Sequence, residues 1–276
     1  MGQCSYSLVN KGLFHLVLIN FNRKNYVLDI FSDHSTTEWA LAFFAAFIIG
    51  FSKAGLRGVD VMNVTIMALV FGSKASTGIV LPLLCLADIL AVSYYNRHAQ
   101  WGHFKKLMPW MIIGVLFGWY IGKDIDELLF KRIMAIIILT AVALLFWWER
   151  RKSDNIPKGW WFEGTVGLAS GFTTMIGNLA GAFSNIYFLV LRFPKNEFIG
   201  TVSWLFLFIN LFKVPFHIYS WETINTHSFK IDLVLVPAML IGFLVGVSVV
   251  KKIKNDSYRK LILGLTLLGA VVIFFR

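Results

Sequence analysis

Gly50-Phe51-Ser52-Lys53-Ala54-Gly55-Leu56-Arg57-Gly58-Val59-Asp60 separates two apolar runs, Trp39 to Ile49 and Val61 to Phe71. Three glycines, two cations and one carboxylate interrupt what would otherwise be lipid-facing helix. Hydrocarbon offers no partner to a free backbone N–H or C=O. A break of this kind therefore persists only where protein or a water-filled cavity covers it. Charge at membrane depth is costly and by default marks a site. A related break, Gly171-Phe172-Thr173-Thr174-Met175-Ile176-Gly177-Asn178-Leu179-Ala180-Gly181, occurs in the second half of the chain.

Composition sets the frame around these breaks. Of the 276 residues, 57% are hydrophobic and 15% charged, with a mean hydropathy of +0.69. Soluble domains carry roughly 25% charged residues, so this chain is short of solvated surface. Apolar runs such as Ile79 to Tyr95, Leu128 to Trp148, Ile231 to Val250 and Leu261 to Phe275 approach the roughly 20 residues that cross a bilayer as helix. They lack the alternation of a β-barrel. The fold class is an all-α polytopic membrane protein.

The net charge of +11 is not a nucleic-acid signal, because Lys and Arg concentrate in short loops between apolar spans, where they set topology. Cys4 and Cys85 make no disulfide framework. His98, His103 and His227 lie in loops without metal-ligand spacing. No nucleophile elbow, phosphate-binding loop or zinc-protease motif is present. No cofactor, metal or enzymatic chemistry is expected. The expected partners are a small anionic substrate and the lipid bilayer.

Ten hydrophobic segments follow one another: 39–52, 60–73, 75–96, 107–122 and 130–148, then 160–176, 179–192, 197–219, 231–250 and 259–275. Residues 1–38 read as an N-terminal tail or peripheral segment. Residues 39–148 form a first transmembrane repeat, 149–159 a basic cytoplasmic linker, and 160–275 a second repeat. In each repeat a short pair flanks a glycine-rich break and three full spans follow. Each short pair is either a re-entrant hairpin or two thin spans, and both fit the lengths. Pro109-x4-Gly114-x3-Gly118-x4-Lys123 matches Pro237-x4-Gly242-x3-Gly246-x4-Lys251 without a gap. Upstream, Gly78 matches Gly200 and Asp88 matches Asn210. A long spacing copied with its flanks points to duplication. An odd number of segments per repeat inverts the second half, as in many secondary transporters. The basic loops near Arg97, Arg150, Lys195 and Lys251 then fall on the cytoplasmic side and the loop 220–230 outside, as the positive-inside rule requires. Loop 123–132 fits this least well. The glycine stripes Gly114/Gly118/Gly122 and Gly242/Gly246 suit close helix packing.

A broken helix presents free N–H groups and the positive end of its dipole, which favours an anion. Lys53 and Arg57 add charge to the first break, beside Gly55 and Gly58. The bland alternative places both cations at the lipid interface or on Asp60. The second break offers Thr174, Gly177, Asn178 and Gly181, with Asn178 also suited to cap the following half-helix. Asp88 lies well inside its span and is the candidate for proton coupling, or for pairing with a lysine. Asn210, Lys213 and His217 share one helix side. Lys213 is a second cation for the anion, the Asp88 counter-ion, or a snorkelling lysine. His217 reads as an interfacial histidine. Trp147, Trp148, Trp160 and Trp161 suit an aromatic belt.

At these residues the chain resembles the sulfite exporter TauE/SafE family of membrane permeases, over about residues 39 to 275. The stretches that carry the likeness are Gly50-x2-Lys53-x-Gly55-x2-Gly58, Phe71-Gly72, Gly78-x3-Pro82-x5-Asp88, and Tyr94-Tyr95-x-Arg97-x3-Trp101. Gly177-Asn178-x2-Gly181, Gly200-Thr201 and Asn210-x2-Lys213-x-Pro215-Phe216 add to them. Arg57 and Asp60 depart from the denser glycine run of many members. The resemblance implies an inner-membrane permease for small sulfur-containing anions. The expected function is a secondary transporter of sulfite, thiosulfate or a sulfonate, with the substrate at the two breaks. The competing readings are a cation carrier or channel using Asp88 and Asp60, and a non-transporting membrane subunit.

Overall fold

The computed structural model describes residues 33–150 and 159–255, with 257, 258, 261, 262 and 264. Every element among them is helical: α1 (Thr36–Lys53), α2 (Asp60–Phe71), α3 (Ser73–Tyr95), a 3-10 turn (Asn96–His98), α4 (Trp101–Gly122), α5 (Glu127–Arg150), α6 (Trp160–Gly177), α7 (Ala180–Val190), α8 (Lys195–Tyr219) and α9 (Thr226–Lys252). The chain divides into two units, 1–40 and 41–276. In the first, Ser35 Oγ accepts from the Glu38 N–H and the Glu38 carboxylate accepts from the Ser35 N–H. This reciprocal cap starts α1 at Thr36, inside the stretch expected to be tail. The final expected segment, 259–275, and Arg151 to Lys158 of the linker lie almost wholly outside the described residues.

Among the described residues, three helices are long and apolar enough to cross a membrane: Ser73–His98, Lys195–Tyr219 and Thr226–Lys252. α4 and α5 run continuously over the two other spans expected in the first half. α3 is the central helix, with 72% of its apolar window buried, whereas α9 buries 39%. α9 turns Leu233, Ile241 and Leu244 outward, a face that lipid covers without penalty.

Both breaks are shorter than the glycine pattern predicts. α1 stays helical through Lys53, so the first break is Ala54–Val59, and the second is only Asn178-Leu179. The glycines at 50 and 171 serve close approach and not unwinding. A Cβ on Gly50 would lie 1.9 Å from the Met239 carbonyl oxygen, and one on Gly171 would lie 2.0 Å from that of Met111. The contacts are reciprocal. A Cβ on Gly242 would meet the Phe47 carbonyl at 2.0 Å, and one on Gly114 the Leu168 carbonyl at 2.3 Å. Thus α9 lies backbone to backbone on α1, and α4 on α6, each pair running in the same sense.

α3 and α8 cross in opposite sense. Gly78 near the start of α3 meets Thr223 beyond the end of α8, and Gly200 near the start of α8 meets Tyr95 at the end of α3. The loops separate accordingly. Lys74 Nζ donates to the Lys123 and Ile125 carbonyls at one end of α3. At its other end, Arg97, Lys195 and Lys251 line a common cavity of about 600 Å³.

Gly50→Ala is expected to force α1 and α9 apart and to cost about 1–3 kcal/mol, the usual range for overpacking. Gly102 in α4 has nothing within 4 Å of its Cβ position, and Gly102→Ala is expected to be neutral or to stabilise by about 0.5–1 kcal/mol. Thermal unfolding of the detergent-purified protein, followed by tryptophan fluorescence, distinguishes the two.

Candidate functional site

The lysine that ends α1 is the first component. Lys53 is 3% exposed, and its Nζ lies 2.7 Å and 2.9 Å from the two carboxylate oxygens of Asp88 on α3. Asn210 Nδ2 of α8 donates to the same carboxylate at 2.8 Å. Asp88 is wholly buried, and an ion pair at such depth is tolerable only with full hydrogen bonding. The repeat-matched pair Asp88 and Asn210 thus meet each other where α3 and α8 cross.

The second component closes the α6 terminus. Lys213 lies one helical turn beyond Asn210. Its Nζ donates to the Thr174 carbonyl at 2.8 Å, the Thr174 hydroxyl at 3.0 Å and Asn178 Oδ1 at 2.7 Å. A cation on the last carbonyls of a helix is well placed against its dipole. Asn178 adopts a left-handed conformation (φ 56°) as the C-cap of α6, and its Nδ2 donates to the Thr77 carbonyl of α3. Its role is therefore to end α6; α7 begins at Ala180 with no side-chain cap. Lys213 is fully buried and does not snorkel. His217 is likewise enclosed by protein. It is fully buried, with Nδ1 2.8 Å from the Thr223 hydroxyl.

The third component has spare valence. Arg57 is fully buried, and its Nη2 donates to Ser203 Oγ of α8 at 3.1 Å. Among the described residues its Nε and Nη1 have no partner. The Phe206 ring lies under both cations, 4.5 Å from Lys53 Nζ and 4.9 Å from Arg57 Cζ. No ion pair joins Arg57 to Asp60 among the described residues. Asp60 instead accepts from Ser52 Oγ on one oxygen, while the other is buried without a partner. Gly55 (φ 125°) and Gly58 (φ 111°) supply the backbone that the break needs. The Ala54 carbonyl accepts from Tyr95 at 3.0 Å, and the Gly55 carbonyl accepts from Tyr258. Tyr95 also lines the basic cavity, so this hydrogen bond joins the cavity to the break.

Gly181 faces Asp60 and Asn185, and Gly177 packs against Leu179 and Met134. The structure therefore brings Lys53, Asp88 and Asn210 together, and separately Lys213, Thr174 and Asn178. Ser203, Phe206, Asn63 and Asn185 escaped the sequence reading. Asn63, three residues after Asp60 on α2, and Asn185 are polar interruptions of apolar helix and offered the one available signal. Ser203 and Phe206 offered none.

Fold and site define a helical membrane protein with an ionic centre between two broken helix pairs. The model of the family described as sulfite exporter TauE/SafE matches residues 42–273, and the chain belongs to that family. The family is one of membrane permeases and exporters of sulfur anions. No curated protein and no solved structure gives a match to this chain.

Removing one partner of the buried pair strands the other. Lys53→Met is expected to cost about 3–5 kcal/mol, and the double variant Lys53→Met/Asp88→Asn clearly less. Thermal unfolding of the two single variants and the double variant measures the coupling; additive losses would refute the pairing.

Proposed function

We propose that the protein is a secondary transporter of a small sulfur-containing oxyanion such as sulfite, thiosulfate or a sulfonate, in a bacterial inner membrane. The observation that carries this reading is Arg57: a guanidinium with no exposure and two unpartnered nitrogens in a helix break. A buried unpaired charge is strongly unfavourable. An oxyanion is the ligand whose acceptor geometry matches the guanidinium fork. Family membership supplies the substrate class.

The helix ends divide the labour. The C-terminal ends of α1 and α6 carry Lys53 and Lys213, each held by internal acceptors. The N-terminal ends of α2 and α7 have no side-chain cap, and uncapped N–H groups favour an anion. The substrate therefore takes Arg57, the Gly58 and Gly181 backbone and these two ends. Lys53, Gly55, Thr174, Gly177, Asn178, Asn210 and Lys213 shape the site and set its charge.

We also propose that residues 39–148 and 160–275 are inverted repeats around the linker 149–159. The reciprocal glycine contacts support it: Gly50 on Met239 and Gly171 on Met111, Gly242 on Phe47 and Gly114 on Leu168. Each contact recurs with the repeat partners exchanged. The antiparallel α3/α8 crossing through Asp88 and Asn210 is where a two-fold axis would pass. Alternating access would then rock α1–α2 and α6–α7 about this crossing. The basic loops place the cavity of Arg97, Lys195 and Lys251 on the cytoplasmic side.

Anion flux in proteoliposomes containing only this protein is the test. Wild-type protein is expected to move radiolabelled sulfite or thiosulfate. Arg57→Ala is expected to lose at least about tenfold in affinity, or about 1.4 kcal/mol. Arg57→Lys is expected to recover part of it, since ammonium lacks the planar fork. Unchanged flux in Arg57→Ala would sink the site; no flux from the wild type would sink the transporter reading.

A further inference from the structure

We propose that the Asp60 carboxylate occupies the helix-start part of the anion site when substrate is absent, and that substrate binding requires Asp60 to take up a proton. This rests on the transporter reading and assigns the coupling role to Asp60 and not to Asp88.

Asp60 is the first residue of α2, so its carboxylate sits at the positive end of a helix dipole. It also faces a second such end. A Cβ at Gly181, the second residue of α7, would lie 3.1 Å from Asp60 Oδ2 and 3.4 Å from Asn185 Nδ2. Neither helix start has a side-chain cap. A tethered carboxylate thus lies where two uncapped N-termini converge, three residues after Arg57. Only one oxygen is held, by Ser52 Oγ. The other is buried without a donor. The Asp88 carboxylate, by contrast, is met by two nitrogen donors, Lys53 Nζ and Asn210 Nδ2.

Among the described residues, Lys53 on α1 and Tyr258 lie within electrostatic reach of Asp60, and Arg57 precedes it by three residues. α7 faces it with Gly181 and the neutral Asn185. Lys53 is neutralised by Asp88, and the Tyr258 hydroxyl is committed to the Gly55 carbonyl. Among the described residues, Arg57 keeps two buried nitrogens without a partner, which an anion can take. Two anions so close repel each other in a medium of low dielectric. The incoming oxyanion therefore favours the neutral carboxyl, and one proton enters with it. The protonated carboxyl gains a donor, which the oxyanion accepts. Atoms and charge balance: a carboxylate and a proton give a carboxylic acid, and no bond in the substrate changes.

By linkage, a site that takes up one proton with its ligand loses affinity as pH rises above the pKa of that group in the free protein. Thiosulfate keeps its charge between pH 5 and 8, so it reports the protein's proton alone. Its binding to protein in nanodiscs, measured by calorimetry, is expected to weaken up to tenfold per pH unit over part of this range. Asp60→Asn is expected to bind thiosulfate more tightly and with no pH dependence. In proteoliposomes, Asp60→Asn is expected to lose the accumulation of thiosulfate driven by a pH gradient. Asp60→Glu, which keeps the acid, is expected to keep the pH dependence, and thermal unfolding shows whether each variant is folded. Four results would overturn the proposal: Asp60→Asn with wild-type pH dependence, loss of binding in folded Asp60→Asn, a pH dependence that disappears in Asp88→Asn alone, or uptake driven by sodium at constant pH. Wild-type protein that binds no thiosulfate, sulfite or methanesulfonate would overturn the transporter reading itself.

Discussion

A charge inside a bilayer has no water to turn to, so each one must be answered by protein. In this molecule that constraint converges on Asp88. It accepts from Lys53 at the end of α1 and from Asn210 of α8, and so binds the first helix break to the crossing of α3 and α8. The second break hangs on the same two helices. Lys213 of α8 caps the end of α6, and Asn178 reaches from there to Thr77 of α3. Two unwound segments are thereby held by one central helix pair. A buried ion pair adds little net stability against an apolar equivalent but is costly to break, so its service here is to specify position.

Glycine supplies the complementary constraint. With hydrocarbon on one side, helix association gains little from the hydrophobic effect and depends on close packing. Gly50, Gly171, Gly114 and Gly242 let backbone meet backbone, with carbonyl oxygens about 2 Å from where a Cβ would stand. The broken pairs α1–α2 and α6–α7 each lean on a long helix belonging to the other half of the chain. Neither half buries its glycine faces alone.

The two breaks are alike in position and unlike in chemistry. The second is short, neutral and fully hydrogen-bonded through Asn178 and Lys213. The first is longer, needs two glycines with positive φ, and holds Arg57, two of whose buried nitrogens have no partner among the described residues, with the half-engaged Asp60 directly after the break. Polar groups left unsatisfied at depth cost free energy. That cost is explicable where a ligand completes the set. The proposed anion site therefore centres on the first break, with α7 contributing an uncapped N-terminus and the absence of a side chain at Gly181.

What the sequence determined by itself was the class of fold and the places where polarity enters it. Long apolar runs, basic short loops and the copied Pro-Gly-Gly-Lys spacing report local properties that survive without coordinates. Lys53, Asp88, Asn210, Lys213 and Asn178 were legible because a polar residue in an apolar span has few explanations. Their partners were not. Asp88 with Lys213, or Asp60 with Arg57, fits the sequence as well as the pairs observed, because pairing depends on how each helix is rotated about its axis. That rotation is set by packing: the glycine contacts fix α1 on α9 and α6 on α4, and so direct Lys53 to Asp88 and Arg57 to Ser203. Only the tertiary structure could show that Gly50 and Gly171 serve contact and not unwinding, and that among the described residues Arg57 is buried with two nitrogens unpartnered.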